Sequence, residues 1–394
     1  MAKNIAVGID IGTYQIKIVV AENIRENGND SLKIIGTGFA ESKGLRHGYI
    51  INSGDTINSL KIALAEAERT SNIKIKRVFL SIGGIGVGSV VSSGSIIIPR
   101  ADSEITEIDV KNVLSIAESE IPANISVNKK IIHTIPIAYK VDGRAVLGRP
   151  IGMKGIKFEV KALFVTCLEH HLNDLIETVE DLGIEVVNII ASPLAGSMVV
   201  LNKTQKIAGC VLANIGSETV SVVVFENNIP ISLEVFPIGG TDITNDIALG
   251  LKISLEEAEG IKINPEKEID FSKKRLEEII LARLSDIFDL IESHLKKLGR
   301  SGLLPAGIII TGGSSGVSTI EDLAKATLKL PSKLGSINFN TALKNCQIKD
   351  SSWSVAYGLC VWGLSGNDEV SLGAPVGSNK PKIRVFSWFK QFLP

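Results

Sequence analysis

Two short stretches hold the residue types that phosphate chemistry needs. In GIDIGTYQIK, Asp10 precedes a turn of Gly12, Thr13 and Tyr14, and Lys17 follows three residues later. In ANIGSETVS, Asn214 precedes Gly216, Ser217, Glu218 and Thr219. A glycine turn lets backbone N–H groups approach a phosphate with no Cβ in the way, and a neighbouring hydroxyl adds a donor. Glu218 would repel phosphate through its side chain, so its backbone amide is the useful group there.

The two stretches are copies of one pattern. VGIDIGTYQIKIVVAEN, from Val7, and VLANIGSETVSVVVFEN, from Val211, lie 204 residues apart and share seven of seventeen positions. Each reads as an apolar run, a polar glycine turn and a β-branched run, which predicts a β-hairpin. Two such hairpins in related halves can face each other and grip a di- or triphosphate from both sides.

Further segments supply the remaining parts of such a site. GIIITGGSS is a buried strand running into Gly312, Gly313 and Ser314, a loop that admits a flat base and its ribose. In PIGGTDITNDIA, Gly239 and Gly240 open a helix whose first amides are expected to face the phosphates. Glu259 and Lys262, three apart on the following helix, fit either ribose hydroxyls or an ordinary surface ion pair.

Taken together, these motifs resemble the actin-like ATPase superfamily and, within it, the FtsA family of bacterial cell-division proteins. The resemblance runs over nearly the whole chain. It implies an α/β, actin-like (ribonuclease H-like, duplicated) two-lobed ATPase fold with an FtsA-type 1C α+β insert. The boundaries it suggests are 1–80 and 166–205 for subdomain 1A, 81–165 for 1C, 206–244 and 306–365 for 2A, and 245–305 for 2B. SSWSVAYGLCVWG matches the helix closing the second lobe, and HTIP at His133 and PIG at Pro150 match the insert. His133 reads as a packing histidine; His170 and His171 read as a solvated helix start.

The resemblance also implies ATP and Mg²⁺ as ligands, with Asp10 holding the metal through water. It implies homopolymers, the C-terminal tail of FtsZ on subdomain 2B, other division proteins on 1C, and a place on the cytoplasmic face of the membrane at the division site. On the long helix Arg283, Lys296 and Lys297 are candidates for an acidic peptide. Two positions depart from relatives that turn over ATP. Asn214 stands where aspartate is usual, and Ser192 stands where a glutamate or glutamine would orient the attacking water. The expectation is a cytoskeletal ATP-binding protein rather than an enzyme, with a weak ATPase at most. A pilus-assembly relative and a sugar-kinase-like phosphotransferase are the alternatives.

The C-terminus needs a separate account. A Gly/Pro/Ser/Asn-rich stretch, 366–381, precedes KIRVFSWFKQFLP. Read as a helix over 382–394, it puts Val385, Phe386, Trp388, Phe389, Phe392 and Leu393 on one side, and Lys382, Arg384 and Lys390 supply positive charge. Such a helix is too short to cross a bilayer core of about 30 Å. It suits an interfacial anchor on anionic lipid. A weak single anchor becomes firm when assembly supplies many.

Composition narrows the classes. The formal net charge of −1 gives no reason to expect nucleic acid as a partner. The four cysteines show no metal spacing, which fits reduced thiols in a cytosolic protein. The chain shows neither a signal-peptide pattern nor an apolar run of membrane-spanning length.

Overall fold

A computed structural model describes residues 5–26, 29–263, 273–317, 319–337, 339, 341 and 350–365. The linker and amphipathic stretch read from 366 onward, and Cys346, lie outside the described residues.

The internal repeat becomes two sheets of the same plan. In the first, the strands run Glu185–Ala191, Arg77–Ile82, Ile5–Ile11, Gln15–Glu26, Asn29–Glu41 across the sheet. In the second, Ser332–Leu334, Gly307–Thr311, Cys210–Ile215, Val220–Glu226 and Ile229–Phe236 take the same places. Each has an antiparallel meander of three strands followed by two strands parallel to the first. Strands of near-continuous Val, Ile and Leu suit sheets covered on both faces. The copies share an actin-like, ribonuclease H-like duplicated architecture.

Between them in sequence lies a four-stranded antiparallel sheet, ordered Gly88–Ile97, Lys157–Leu168, Lys129–Val141, Arg144–Val146. Helix Glu107–Ser119 belongs to it and buries Val110, Val113, Leu114 and Ala117 in a separate hydrophobic cluster. A capping box starts this helix, with Asp109 bonded to the Thr106 backbone and hydroxyl and paired with Arg100. Those partners hold the Asp109 carboxyl down at about 2. The insert thus has its own core.

The last helix packs elsewhere than the sequence reading places it. Helix Ser354–Ser365, expected to close the second lobe, packs instead on the first. The Cys360 thiol donates to the carbonyls of Ala6 and Val19, and a Cβ at Gly358 would sit 1.9 Å from the Ala195 carbonyl oxygen. Glycine is what allows this helix to cross the connecting helix Ser192–Val200 so closely. The stretch 245–305, expected as subdomain 2B, contributes Ile247, Ala258, Leu284 and Phe288 to a hydrophobic cluster that also holds residues of the second sheet. The apolar stripe of helix Lys273–Lys297 belongs to that cluster, and the helix packs chiefly against helices Gly240–Leu251 and Ile320–Leu328.

Candidate functional site

The two glycine turns have matching geometry. Gly12 N–H donates to the Gln15 carbonyl at 3.2 Å, and Gly216 N–H donates to the Thr219 carbonyl at 2.9 Å. Among the described residues, neither turn uses the N–H groups of its two central residues, Thr13 and Tyr14 or Ser217 and Glu218, in backbone hydrogen bonds. The flanking positions correspond as well. Asp10 sits opposite Lys17 in the first hairpin, and Asn214 sits opposite Ser221 in the second. A charged cross-strand pair in one copy is therefore a neutral pair in the other.

Both turns border one cleft of about 800 Å³, a volume suited to a small-molecule ligand. Fourteen of the seventeen expected nucleotide contacts line it; the exceptions are Glu218, Gly239 and Gly240. Ser192 lines it too. Strand Gly307–Thr311 delivers the third loop, where Gly312 adopts φ +100°. A Cβ there would lie 2.3 Å from the Ile215 carbonyl oxygen and 2.5 Å from Asn214 Oδ1. Ser314 completes the seam, its N–H donating to Ile215 at 3.1 Å and its hydroxyl to the Gly216 carbonyl at 3.1 Å.

The helix-opening glycines have a different task from the one expected. Gly240 N–H donates to the Gly216 carbonyl at 2.9 Å and Thr241 N–H to the Ser217 carbonyl at 2.7 Å. The Gly239 N–H is taken by the Asp242 carboxylate at 2.8 Å. The amides of Gly240 and Thr241 hold the second turn in place, and all three are engaged within the protein. The missing Cβ groups matter because one at Gly240 would meet the Ser314 hydroxyl at 2.0 Å.

Glu218 turns its carboxylate away from the cleft, where the backbone N–H of His47 binds it. His47 lies at the tip of loop 44–50 of the first lobe, a short hairpin of Leu45–Arg46 paired with Tyr49–Ile50, where Gly48 N–H donates to the Thr13 hydroxyl at 3.1 Å. Sequence reading missed this loop. Its signal was modest: glycines at 44 and 48, both at positive φ, with His47 at φ 49° between them.

The charged pair of the first hairpin lines the cleft. Burial pushes the Asp10 carboxyl above its ordinary value, while a 2.7 Å hydrogen bond from Ser81 and the Lys17 charge pull it down. Lys17 is lowered by burial and raised in part by Asp10 and Asp350. Its ammonium donates to the Ser352 carbonyl at 3.1 Å and lies 5.8 Å from the Trp353 ring centroid. No group of three or more acidic, His or Cys side chains suited to a metal occurs among the described residues. Besides Asp10, the cleft is lined by the acidic residues Glu256, Glu259 and Asp350.

Glu259 and Lys262 form an ion pair of 2.6 Å on the cleft wall. Lys262 also donates to Thr244 Oγ1 at 2.8 Å and to the Gly240 carbonyl at 3.1 Å, which ties helix Leu255–Ile263 to helix Gly240–Leu251. Arg283 is engaged by Asp246 at 2.6 Å and by Asp286 at 3.3 Å, and Lys296 lies 3.5 Å from Glu292. Of the histidines, His170 is exposed, whereas His171 is buried, its Nε2 2.9 Å from the Gly83 carbonyl oxygen; the solvated helix start therefore holds for one of the two.

Comparison with known proteins places this geometry. Residues 211–358 match the family described as "Cell division protein FtsA", and residues 84–166 match "SHS2 domain inserted in FTSA". Cell division protein FtsA of Pseudomonas aeruginosa is 29% identical over 415 aligned residues, covering 98% of this chain and 97% of that protein. The FtsA of Bacillus subtilis is 30% identical over 354, covering 84% and 79%. Among solved structures, a PilM–PilN type IV pilus biogenesis complex superposes with TM-score 0.67 at 17% identity, over 91% of this chain and 98% of that one. MreB5 of Spiroplasma citri bound to AMPPNP gives TM-score 0.51 at 12% identity, over 92% and 96%. At those identities the solved structures are similar in fold alone.

Proposed function

The chain belongs to the FtsA family of cell-division proteins, and from that premise we propose that it is an ATP-binding scaffold that assembles with its own copies on the cytoplasmic membrane face. Its partner there is the FtsZ ring, tethered through the FtsZ C-terminal tail on the helices around 245–305. The observation that carries the nucleotide part is the pair of matched turns, Gly12–Gln15 and Gly216–Thr219, on either side of one cleft with the Gly312 loop beside them. In this reading Thr13, Tyr14, Ser217 and Glu218 offer backbone amides to phosphate, Asp10 holds Mg²⁺ through water, and the loop after Thr311 admits the adenosine.

Turnover is slow in this account. The second hairpin carries Asn214 and Ser221 where a carboxylate would hold metal and water, and Ser192 is too short to orient an attacking water. ATP acts by closing the lobes and favouring assembly. The basic aromatic stretch at 382–394 supplies the membrane contact. The pilus-assembly alternative has a fold likeness in its favour, while FtsA relatives align along most of the chain.

Equilibrium dialysis with ATP and Mg²⁺ tests the cleft. Wild type binds, and Gly312→Ala binds at least about tenfold more weakly, a difference of about 1.4 kcal/mol, because its Cβ would press on the Ile215 carbonyl 2.3 Å away. Equal affinity in the two proteins would remove the nucleotide from this cleft.

A further inference from the structure

The insert is covalently part of the first lobe, yet it is fastened to the second. Its edge strand Gly88–Ile97 lies beside the edge strand Ile229–Phe236 of the other lobe. There the Ser89 hydroxyl donates to the Leu233 carbonyl at 2.8 Å and accepts from the Leu233 N–H at 2.8 Å. One side chain thus satisfies both backbone groups of an edge residue, replacing a strand partner.

A surface cleft opens on either side of this staple. One, of about 360 Å³, lies between Tyr49, the insert root and Glu234, and the other, of about 420 Å³, lies between Val91, Phe236 and Leu290. Beneath the staple, Leu233 and Val235 of the second lobe, Ile135 and Val165 of the insert and Leu80 of the first sheet belong to one buried hydrophobic cluster, and close-packed neighbours transmit a shift of one to the others. The root of the insert is also tied to the cleft. Ile85 N–H donates to the His47 carbonyl at 3.3 Å, and a Cβ at Gly48 would sit 2.5 Å from Gly84 Cα. Loop 44–50 in turn touches Thr13 in the first turn and Glu218 in the second.

We propose that loop 44–50 and the Ser89–Leu233 staple together make the insert's orientation follow the opening and closing of the cleft. This rests on the reading of the cleft as the ATP site and adds its regulation. A ligand that draws the two turns together moves the second lobe relative to the first. The insert is held at its root by one lobe and at Ser89 by the other, so it must pivot. Its far end carries Leu147, which is 100% exposed, and such a pivot presents that end differently to whatever the insert touches.

Spin labels on Leu147→Cys and Leu249→Cys report the pivot by pulsed electron resonance, since both positions are well exposed, on the insert and the second lobe respectively. ATP affinity is measured on the same labelled samples. The expected result is an ATP-dependent shift of the distance distribution in wild type. That shift is lost in Ser89→Ala and restored in Ser89→Thr, with ATP affinity of all three alike. ATP binding with no shift in wild type, or an unchanged shift in Ser89→Ala, overturns the proposal. Absence of ATP binding in wild type overturns the cleft reading itself, and the proposal with it.

Discussion

His133 joins the insert to the first lobe, and the joint should weaken in mild acid. The residue lies on insert strand Lys129–Val141, where its Nε2 accepts the Ala191 N–H at 3.1 Å and its ring lies 5.9 Å from that of Trp362. Burial lowers its pKa from 6.5 to about 4. The sign follows from proton counting. Between those values the unfolded chain binds a proton that the folded chain refuses, so stability is full above the unfolded pKa and falls as pH drops toward the folded one. At about 1.4 kcal/mol per pKa unit, the whole interval is worth about 3 kcal/mol, of which about 2 kcal/mol is lost by about pH 5. Urea unfolding at about pH 7.5 and about pH 5, in wild type and His133→Gln, measures it. Glutamine can accept the Ala191 N–H and cannot titrate, so the variant should lose about 2 kcal/mol less than wild type over the same interval. Equal losses would refute the assignment of a neutral, buried acceptor at this position.

Two substitutions address the second hairpin and the crossing of helices Ser192–Val200 and Ser354–Ser365. Asn214→Asp places a carboxylate in the same space beside Gly312 and should raise ATP turnover by about tenfold, equivalent to about 1.4 kcal/mol of barrier; an unchanged rate in a phosphate-release assay would count against the neutral-pair account of slow hydrolysis. Gly358→Ala puts a methyl group 1.9 Å from the Ala195 carbonyl, and a thermal melt should register a loss of about 3 kcal/mol. A melt unchanged from wild type would mean the two crossing helices can separate at little cost.

Much of the architecture was legible because it is written twice. The shared pattern at Val7 and Val211 announces two hairpins, and each half supplies the same strand order. Turn chemistry is local, so Gly12, Gly216 and Gly312 could be placed by inspection. What escaped the sequence was long-range pairing. Nothing within a few residues of Ser354 says that its helix will cross Ala195 in the other half of the chain. The amides of Gly240 and Thr241 looked free until their partners, the carbonyls of Gly216 and Ser217, folded back onto them. The His47 loop lacked a chemistry-bearing motif, and its importance comes from touching both turns, the second through Glu218, 171 residues further along the chain. His171 looked solvated because its neighbour is, yet one step around a helix carries it into the core.

The claim that joins cleft, assembly and tail is that ATP strengthens attachment to an anionic membrane. Co-sedimentation with phosphatidylglycerol-containing vesicles, with and without ATP, tests it on the full chain beside a version ending at Gly377. The account predicts that the full chain pellets, that ATP increases the bound fraction, and that the shortened chain stays in the supernatant under both conditions. If both versions remain soluble, or the shortened chain pellets equally well, the membrane-tethered scaffold is the wrong description of this protein.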